Sequence, residues 1–146
     1  MKDFHGHRCY KSALVVDDHP DSCRLICVTL NILGIGNVVV AKDGLAGVEA
    51  YERAEIKPDL VVCDLYMPDM DGIEFVNALG VRDYVGALVM CTAGDPCILD
   101  MAYEVATKVH GLDMVGAFLK PIGVGAFDKV LNLPFPRVPS YSTRTV

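Results

Sequence analysis

The chain has no apolar run long enough to cross a bilayer, no adjacent lysines or arginines and no Cys-x-x-Cys pair. The first absence excludes a transmembrane helix, which needs about 20 consecutive apolar residues, so we expect no membrane contact. The second, with a formal net charge of −6, argues against a surface that follows nucleic-acid phosphates. The third leaves His5, His7 and Cys9 without a second ligand pair, so we expect a solvated arm there rather than a zinc site.

The length and the cysteines indicate one reduced domain. A chain of 146 residues is about the size of a single domain. Its six cysteines lie mostly inside apolar segments, where a free thiol behaves as a small hydrophobic side chain. The first residues contain no apolar export segment, so we expect the protein to be cytoplasmic.

Short apolar runs alternate with helical patterns along the chain. The runs have strand length and several are rich in valine, as in strands that are covered on both faces; they are residues 13–16, 38–41, 60–63, 87–91 and 115–119. Apolar residues recur at helical spacing in the segments 20–34, 44–54, 73–79, 95–111 and 125–131. This alternation predicts an α/β fold, a doubly wound, five-stranded parallel sheet with helices on both faces.

The folded domain is expected to occupy residues 12–132. Residues 1–11 then form an N-terminal arm. Residues 133–146 contain three prolines and a Ser/Thr-rich end in place of any periodic pattern, which is typical of a linker or tail.

Polar side chains follow the predicted strands at their carboxyl ends, where ligands bind in such sheets. Asp17 and Asp18 follow the first strand, and Asp64 ends the third. Thr92 ends the fourth strand and Lys120 the fifth. The three carboxylates and one ammonium leave a formal charge of −2, which one divalent ion cancels. The donors are oxygens, with no converging histidine or cysteine, which suits Mg²⁺.

A carboxylate beside Mg²⁺, with a hydroxyl and an ammonium close by, is an arrangement for phosphoryl transfer. Asp64 would act as the nucleophile and form an aspartyl phosphate, while the metal and Lys120 neutralise the transferred oxygens. Asp69 and Asp71 are explained by the turn before Gly72, so we assign them no chemistry.

Four motifs in this order resemble the receiver domains of two-component response regulators. They are "LVVDDHP" with its acidic pair, "DLYMPDMDG" with its phosphoacceptor, "CTAG" with its hydroxyl and "FLKPI" with its lysine before a proline. The resemblance covers about residues 12–131. It implies the flavodoxin-like (βα)5 fold with strand order 2-1-3-4-5.

The resemblance also implies a metal site. Asp18 would be a direct Mg²⁺ ligand, and Asp17 would act largely through water. Asp64 and the backbone carbonyl of Tyr66 would complete the protein's share of the coordination sphere.

For signalling, the resemblance implies that Asp64 is the phosphorylation site. Thr92 would bind a phosphoryl oxygen, and Lys120 would pair with Asp64 or its phosphate. The bond between Lys120 and Pro121 is often cis in this family. The expected partners are a sensor histidine kinase and an output domain or partner protein. The resemblance therefore implies a signalling domain rather than an enzyme. Whether the chain forms a homodimer stays an open question.

Two features depart from the family pattern. Three residues before Lys120 the family favours an aromatic that swings inward on activation, whereas this chain has Ala117, with Phe118 one place later. We expect Phe118 to point to the opposite face of its strand. The segment from Thr92 to Lys120 is several residues longer than usual and resembles the receivers of EAL-type cyclic-di-GMP phosphodiesterases.

Three other functions compete with a phosphorylated receiver. A Mg²⁺-dependent phosphohydrolase of the haloacid-dehalogenase type needs a second acid two residues after the nucleophile, where this chain has Tyr66. A flavin binder would want a phosphate loop, and "DDHPD" would repel a phosphate. A receiver-like interaction module without phosphorylation would have lost an acid, the hydroxyl or the lysine, and none is lost.

The first helix carries additional apolar residues outside its core stripe. Leu25, Val28 and Ile32 make it apolar nearly all round. Either the helix has a broad core face or it contacts another protein.

Overall fold

Valine-rich strands alternate with amphipathic helices throughout the computed structural model, which describes residues 8–132 and 142–146. In chain order the elements are β1 Ser12–Val16, α1 Pro20–Ile32, β2 Asn37–Ala41, α2 Gly44–Arg53, β3 Leu60–Asp64, α3 Gly72–Gly80, β4 Ala87–Thr92, α4 Cys97–Glu104, a π-helical turn Val105–Val109, β5 Asp113–Leu119, α5 Val124–Leu131 and β6 Ser142–Thr145. Each of the five predicted strands and five predicted helices is present.

The strands form one parallel sheet in the order β5-β4-β3-β1-β2-β6. The doubly wound class and the order 2-1-3-4-5 are therefore confirmed. The sixth strand was not predicted. It pairs with β2 from Asn37↔Ser142 to Val40↔Thr145 and lies within the segment that the sequence assigns to a tail. Its sequence, "STRT", has no apolar alternation that could reveal a strand.

The ends of the predicted domain are only partly covered by the described residues. Residues 1–7 of the predicted arm and 133–141 of the predicted tail lie outside them. The described end of the arm packs on the domain, since the Arg8 N–H donates to the Asn132 carbonyl and Tyr10 is buried. Within the residues that the structure describes, no helix has both the length and the apolar character that crossing a membrane requires.

Two apolar layers sandwich the sheet because successive strand residues point to opposite faces. On one face α1 and α5 cover Val15, Val62 and Val89. On the other face α2, α3 and α4 cover residues such as Val61 and Leu88. Asp17, Asp64 and Thr92 are the buried polar residues closest to the carboxyl ends of the strands.

The additional apolar residues of α1 are on the surface. Cys23, Cys27 and Leu30 form the buried stripe that the sequence predicts. Leu25, Val28 and Ile32 are 45%, 53% and 42% exposed, so a broad core face does not explain them.

The extra length between Thr92 and Lys120 takes two local forms. The predicted fourth helix continues from α4 into the π-helical turn, which accommodates an additional residue per turn. The pairing of β4 with β5 shifts register between Leu88 and Val89 of β4. Val115 of β5 is the additional residue and forms a β-bulge. After the π-helical turn, His110 shares a hydrogen bond of 2.7 Å with Asn77 of α3.

Candidate functional site

The polar residues at the strand ends meet at one edge of the sheet, as predicted. Lys120, just after β5, is held by its N–H, which donates to the Thr92 carbonyl at 2.8 Å. Its ammonium lies 2.7 Å from Asp17 Oδ2 and 3.4 Å from Asp64 Oδ2. The lysine therefore bridges the carboxylates that follow β1 and end β3. The peptide bond between Lys120 and Pro121 is cis, as the resemblance implies.

Asp17 is fully engaged by its neighbours. It is 1% exposed, and Oδ2 accepts from Lys120 and from the Ser22 hydroxyl at 2.7 Å. Oδ1 accepts the His19 N–H at 2.9 Å. Asp18, in contrast, is exposed at the rim of the site. Ser22 was not predicted as a site residue; its position in the first turn of α1 is the signal for it.

The environment of Asp64 favours the protonated form of its carboxyl group. Burial raises the pKa of this carboxyl, and the negative charge of Asp17 raises it further, whereas Lys120 lowers it. For Lys120, burial alone lowers the pKa, but the hydrogen bond and charge of Asp17, with the charge of Asp64, leave it raised overall. The lysine therefore stays protonated and holds two carboxylates that would otherwise repel each other.

Thr92 and Tyr66 lie on the Asp64 side of the edge. Thr92 is completely buried, and its hydroxyl oxygen accepts the Gly94 N–H at 3.0 Å. Tyr66 is 47% exposed, and its ring lies so close to Gly94 that a Cβ there would come within 2.5 Å of Tyr66 Cε2. The loop after β4 is thus held between a buried hydroxyl and an exposed ring.

The turn after Asp64 is built by the residues that the sequence assigns to turn formation. Asp69 has a φ of 66°, a left-handed conformation that Asp tolerates. Asp71 caps α3 by accepting the Glu74 N–H at 2.9 Å. A Cβ at Gly72 would lie 2.6 Å from the Asp64 carbonyl, so only glycine lets α3 begin this close to the end of β3.

The donor set fits a hard divalent cation. Oxygens of Asp17 and Asp64 and the Cys91 sulfur lie within 4.8 Å of one another. Burial raises the pKa of Cys91 to about 12, so the thiol is neutral and leaves the carboxylates as the ligands. Because both Asp17 oxygens already accept hydrogen bonds, Asp18 and Asp64 are better placed to bind a cation directly.

Comparison with known proteins agrees with this geometry. The family described as Response regulator receiver domain matches residues 13–132. The chain belongs to this family. The receiver is 33% identical over 117 residues to the transcriptional regulatory protein KdpE of Mycobacterium tuberculosis, covering 78% of this chain and 46% of that protein. It is 39% identical over 80 residues to the chemotaxis protein CheY of Listeria monocytogenes, covering 55% of this chain and 66% of that protein.

Solved structures give the same fold. A response regulator from Colwellia psychrerythraea matches with a TM-score of 0.69 at 28% identity, covering 83% of the receiver and 93% of that chain. The chemotaxis protein CheY4 of Vibrio cholerae matches with a TM-score of 0.68 at 25% identity, covering 84% and 97%. The receiver spans about half the length of the transcriptional regulators that it resembles.

The raised pKa of Asp64 predicts that Asp64→Asn stabilises the unphosphorylated receiver. A folded-state pKa above the unfolded value means that wild type loses stability as the pH rises through the folded pKa. We expect Asp64→Asn to raise the free energy of unfolding by about 1 kcal/mol at pH 7. The gain should vanish below the unfolded-state pKa of the Asp, where both proteins are uncharged at this position.

Urea unfolding followed by circular dichroism across this pH range measures the effect. Asp69→Asn is the control, since Asp69 is exposed and Asn tolerates the same left-handed φ. An Asp64→Asn variant that is less stable than wild type at pH 7 would contradict the charge argument.

Proposed function

We propose that Asp64 accepts a phosphoryl group from a histidine of a sensor kinase, and that this receiver passes the signal to an output domain or partner in the cytoplasm. The observation that carries the proposal is the buried Asp64 carboxylate, which lies 3.4 Å from the protonated Lys120. Asp64 ends β3, and Thr92 ends the neighbouring strand β4. A buried carboxylate destabilised by its surroundings is suited to becoming a nucleophile rather than to a structural role.

The transfer converts the carboxylate into an acyl phosphate. An oxygen of Asp64 attacks phosphorus while the bond from phosphorus to the histidine nitrogen breaks. The electron pair of that bond stays on the nitrogen, and the histidine, protonated on its other ring nitrogen, leaves as neutral imidazole. Lys120 neutralises charge on the phosphoryl oxygens. After transfer, the Thr92 hydroxyl, whose oxygen accepts the Gly94 N–H, can donate to one of these phosphoryl oxygens.

Mg²⁺ is the proposed cofactor. It would be held by Asp18, Asp64 and the Tyr66 carbonyl, with Asp17 acting through water, and when bound it supplies further neutralisation of the phosphoryl oxygens. The support is the excess of carboxylates at this edge, where Asp17 and Asp64 share one lysine.

The exposed face of α1 is the proposed contact surface for the kinase. Leu25, Val28 and Ile32 lie on the helix that begins beside the site. Leu25 also lines a groove of about 370 Å³ together with Lys120 and Ile122. An apolar surface that is continuous with Lys120, the partner of Asp64, would bring the donor histidine to Asp64.

A cyclic-di-GMP phosphodiesterase module is the proposed output. The support is the long segment between Thr92 and Lys120, in which the π-helical turn and the β-bulge accommodate the additional residues. Any phosphodiesterase activity would belong to that module and not to this receiver.

The first prediction of this proposal is that Asp64 is the phosphoacceptor. Wild type incubated with Mg²⁺ and acetyl phosphate should gain the mass of one phosphoryl group, measured by intact mass spectrometry, and lose it in acid or base as an acyl phosphate does. Asp64→Asn should gain none. Asp69→Asn should be phosphorylated like wild type. An Asp64→Asn variant that gains the same labile mass as wild type would contradict the assignment of Asp64 as the phosphoacceptor.

A second prediction ranks the two adjacent acids in metal binding. Asp18→Ala should weaken Mg²⁺ binding by about tenfold or more, and Asp17→Ala by less, because Asp17 is already bonded to Lys120 and Ser22. Calorimetric titration of the unphosphorylated receiver measures both. Asp21→Ala, an exposed acid on α1, is the charge-matched control, and equal weak effects of the two acids would refute the ranking.

A third prediction concerns how the signal leaves the site. The ring centroids of Phe118 and Phe127 lie 6.4 Å apart on the α1/α5 face, and Ala117 is exposed on the other face, so β5 supplies no aromatic that can swing beside Thr92. We expect movement of the Thr92 loop to shift α4 and the π-helical turn, a local change acting on an element with two arrangements.

NMR of the free receiver and of its beryllofluoride–Mg²⁺ complex tests this. Large shifts should run along residues 94–112 while the Phe118 ring stays unmoved. Phe118→Leu should preserve those shifts. A Phe118 ring that flips while α4 stays static would contradict the mechanism.

A further inference from the structure

The sixth strand creates a groove on the sheet that five strands alone would not form. Thr143 and Thr145 pair with Val38 and Val40 of β2, so their side chains point to the same face as these valines, towards α1. A groove of about 430 Å³ runs between α1 and these threonines, a size typical of small-molecule sites. Without β6, the outer side of β2 would be an open edge.

The walls of the groove are apolar. Val28 and Val40 line it together with Cys23 and Cys27. Burial raises the pKa of Cys23 to about 12 and that of Cys27 to about 11, so both thiols are neutral at physiological pH. This part of the groove favours an apolar body.

One end of the groove holds a buried polar group without a partner. Asn31 lines the groove and is 7% exposed, and its Oδ1 has no hydrogen-bond partner among the described residues. A buried amide oxygen without a partner costs free energy, so a ligand that turns the Asn31 amide into the groove and bonds to it regains that loss. The side-chain amide of Asn31 can flip, which interchanges the positions of its oxygen and nitrogen. A ligand head that both donates and accepts hydrogen bonds therefore pairs with Asn31 in either orientation.

The opposite end of the groove carries charges that cancel. Asp17 and Asp18 line it together with Arg24 and Lys42, so its formal charge is zero. The α1 segment from residue 20 to residue 31 is about 16 Å long, which separates this end from Asn31. The groove therefore offers no net attraction for a charged ligand.

We propose that the groove between α1 and β6 binds a small uncharged molecule that has an apolar body and a carboxamide-like head paired with Asn31. The groove meets the carboxylate edge at Asp17 and Asp18, and its head-group end at Asn31 lies at the other end of α1.

The test is an NMR titration of the unphosphorylated chain, without Mg²⁺, with 4-phenylbutanamide. Saturable shifts should appear in residues 20–31, 38–42 and 142–146, with a dissociation constant of about 1 mM or tighter. The matched anion 4-phenylbutanoate should bind at least about tenfold more weakly, since it cannot donate a hydrogen bond and carries a charge.

Two tryptophan variants on the same strand locate the site. Thr143→Trp fills the groove and should weaken the binding of the amide by about tenfold or more. Arg144→Trp is the matched control, because Arg144 points to the α2 face, and it should bind within about twofold of wild type. Tryptophan is accepted in strands, so both variants should fold.

A third variant tests the head group. Asn31→Leu removes the buried amide oxygen, which has no partner within the part of the chain that the structure describes, so the fold should survive, and affinity for the amide should fall by about tenfold. Equal affinities of the two tryptophan variants, unchanged affinity in Asn31→Leu, or equal binding of the amide and the anion would each overturn the proposal. The absence of saturable binding to wild type would do the same.

Discussion

The site depends on the ion pairs that the Lys120 ammonium makes with two carboxylates. The ammonium lies 2.7 Å from Asp17 and 3.4 Å from Asp64, two buried carboxylates that follow or end different strands. Without a cation between them, burial and mutual repulsion would favour the protonated forms. The lysine thus keeps Asp64 ionised, as the proposed transfer requires, while holding it at the longer distance of the two.

The unequal sharing of Lys120 separates the roles of the acids. Asp17 takes the shorter contact and is also bonded by Ser22, so it acts as an anchor for the lysine and for the start of α1. Asp64 has the longer contact, and its burial raises its pKa. Asp18 is exposed beside them. Three carboxylates of one residue type therefore differ in chemistry because their burial and hydrogen bonds differ.

Helix α1 connects several features of the molecule. Its buried stripe covers the sheet, its N-terminal turn bonds to Asp17, and its exposed apolar residues lie beside the groove that Lys120 lines. Its other flank, with Asn31, forms a wall of the groove at β6. This combination explains why the helix is apolar nearly all round although one side is in solvent.

Local patterns predicted the elements and the meeting of polar side chains at one edge of the sheet. Alternating valine-rich runs and helical periodicity predicted the five strands and five helices, and the rule for parallel sheets placed Asp17, Asp64, Thr92 and Lys120 at one edge. The strand β6 escaped prediction because its residues are polar and its pairing with β2 supplies backbone hydrogen bonds rather than apolar burial. The π-helical turn also escaped, since its apolar spacing resembles that of an α-helix over so short a segment.

By itself, the sequence determined the fold class, the strand ends that carry chemistry and the residue types available there, because periodicity and turn residues act over a few neighbours. Only the tertiary structure decided which carboxylate holds the lysine more closely, that Leu25, Val28 and Ile32 are exposed, and that a polar C-terminal strand closes a groove over Asn31. These outcomes depend on distances and burial between residues far apart in the chain, such as Asp17 and Lys120, and such distances arise only when the sheet assembles.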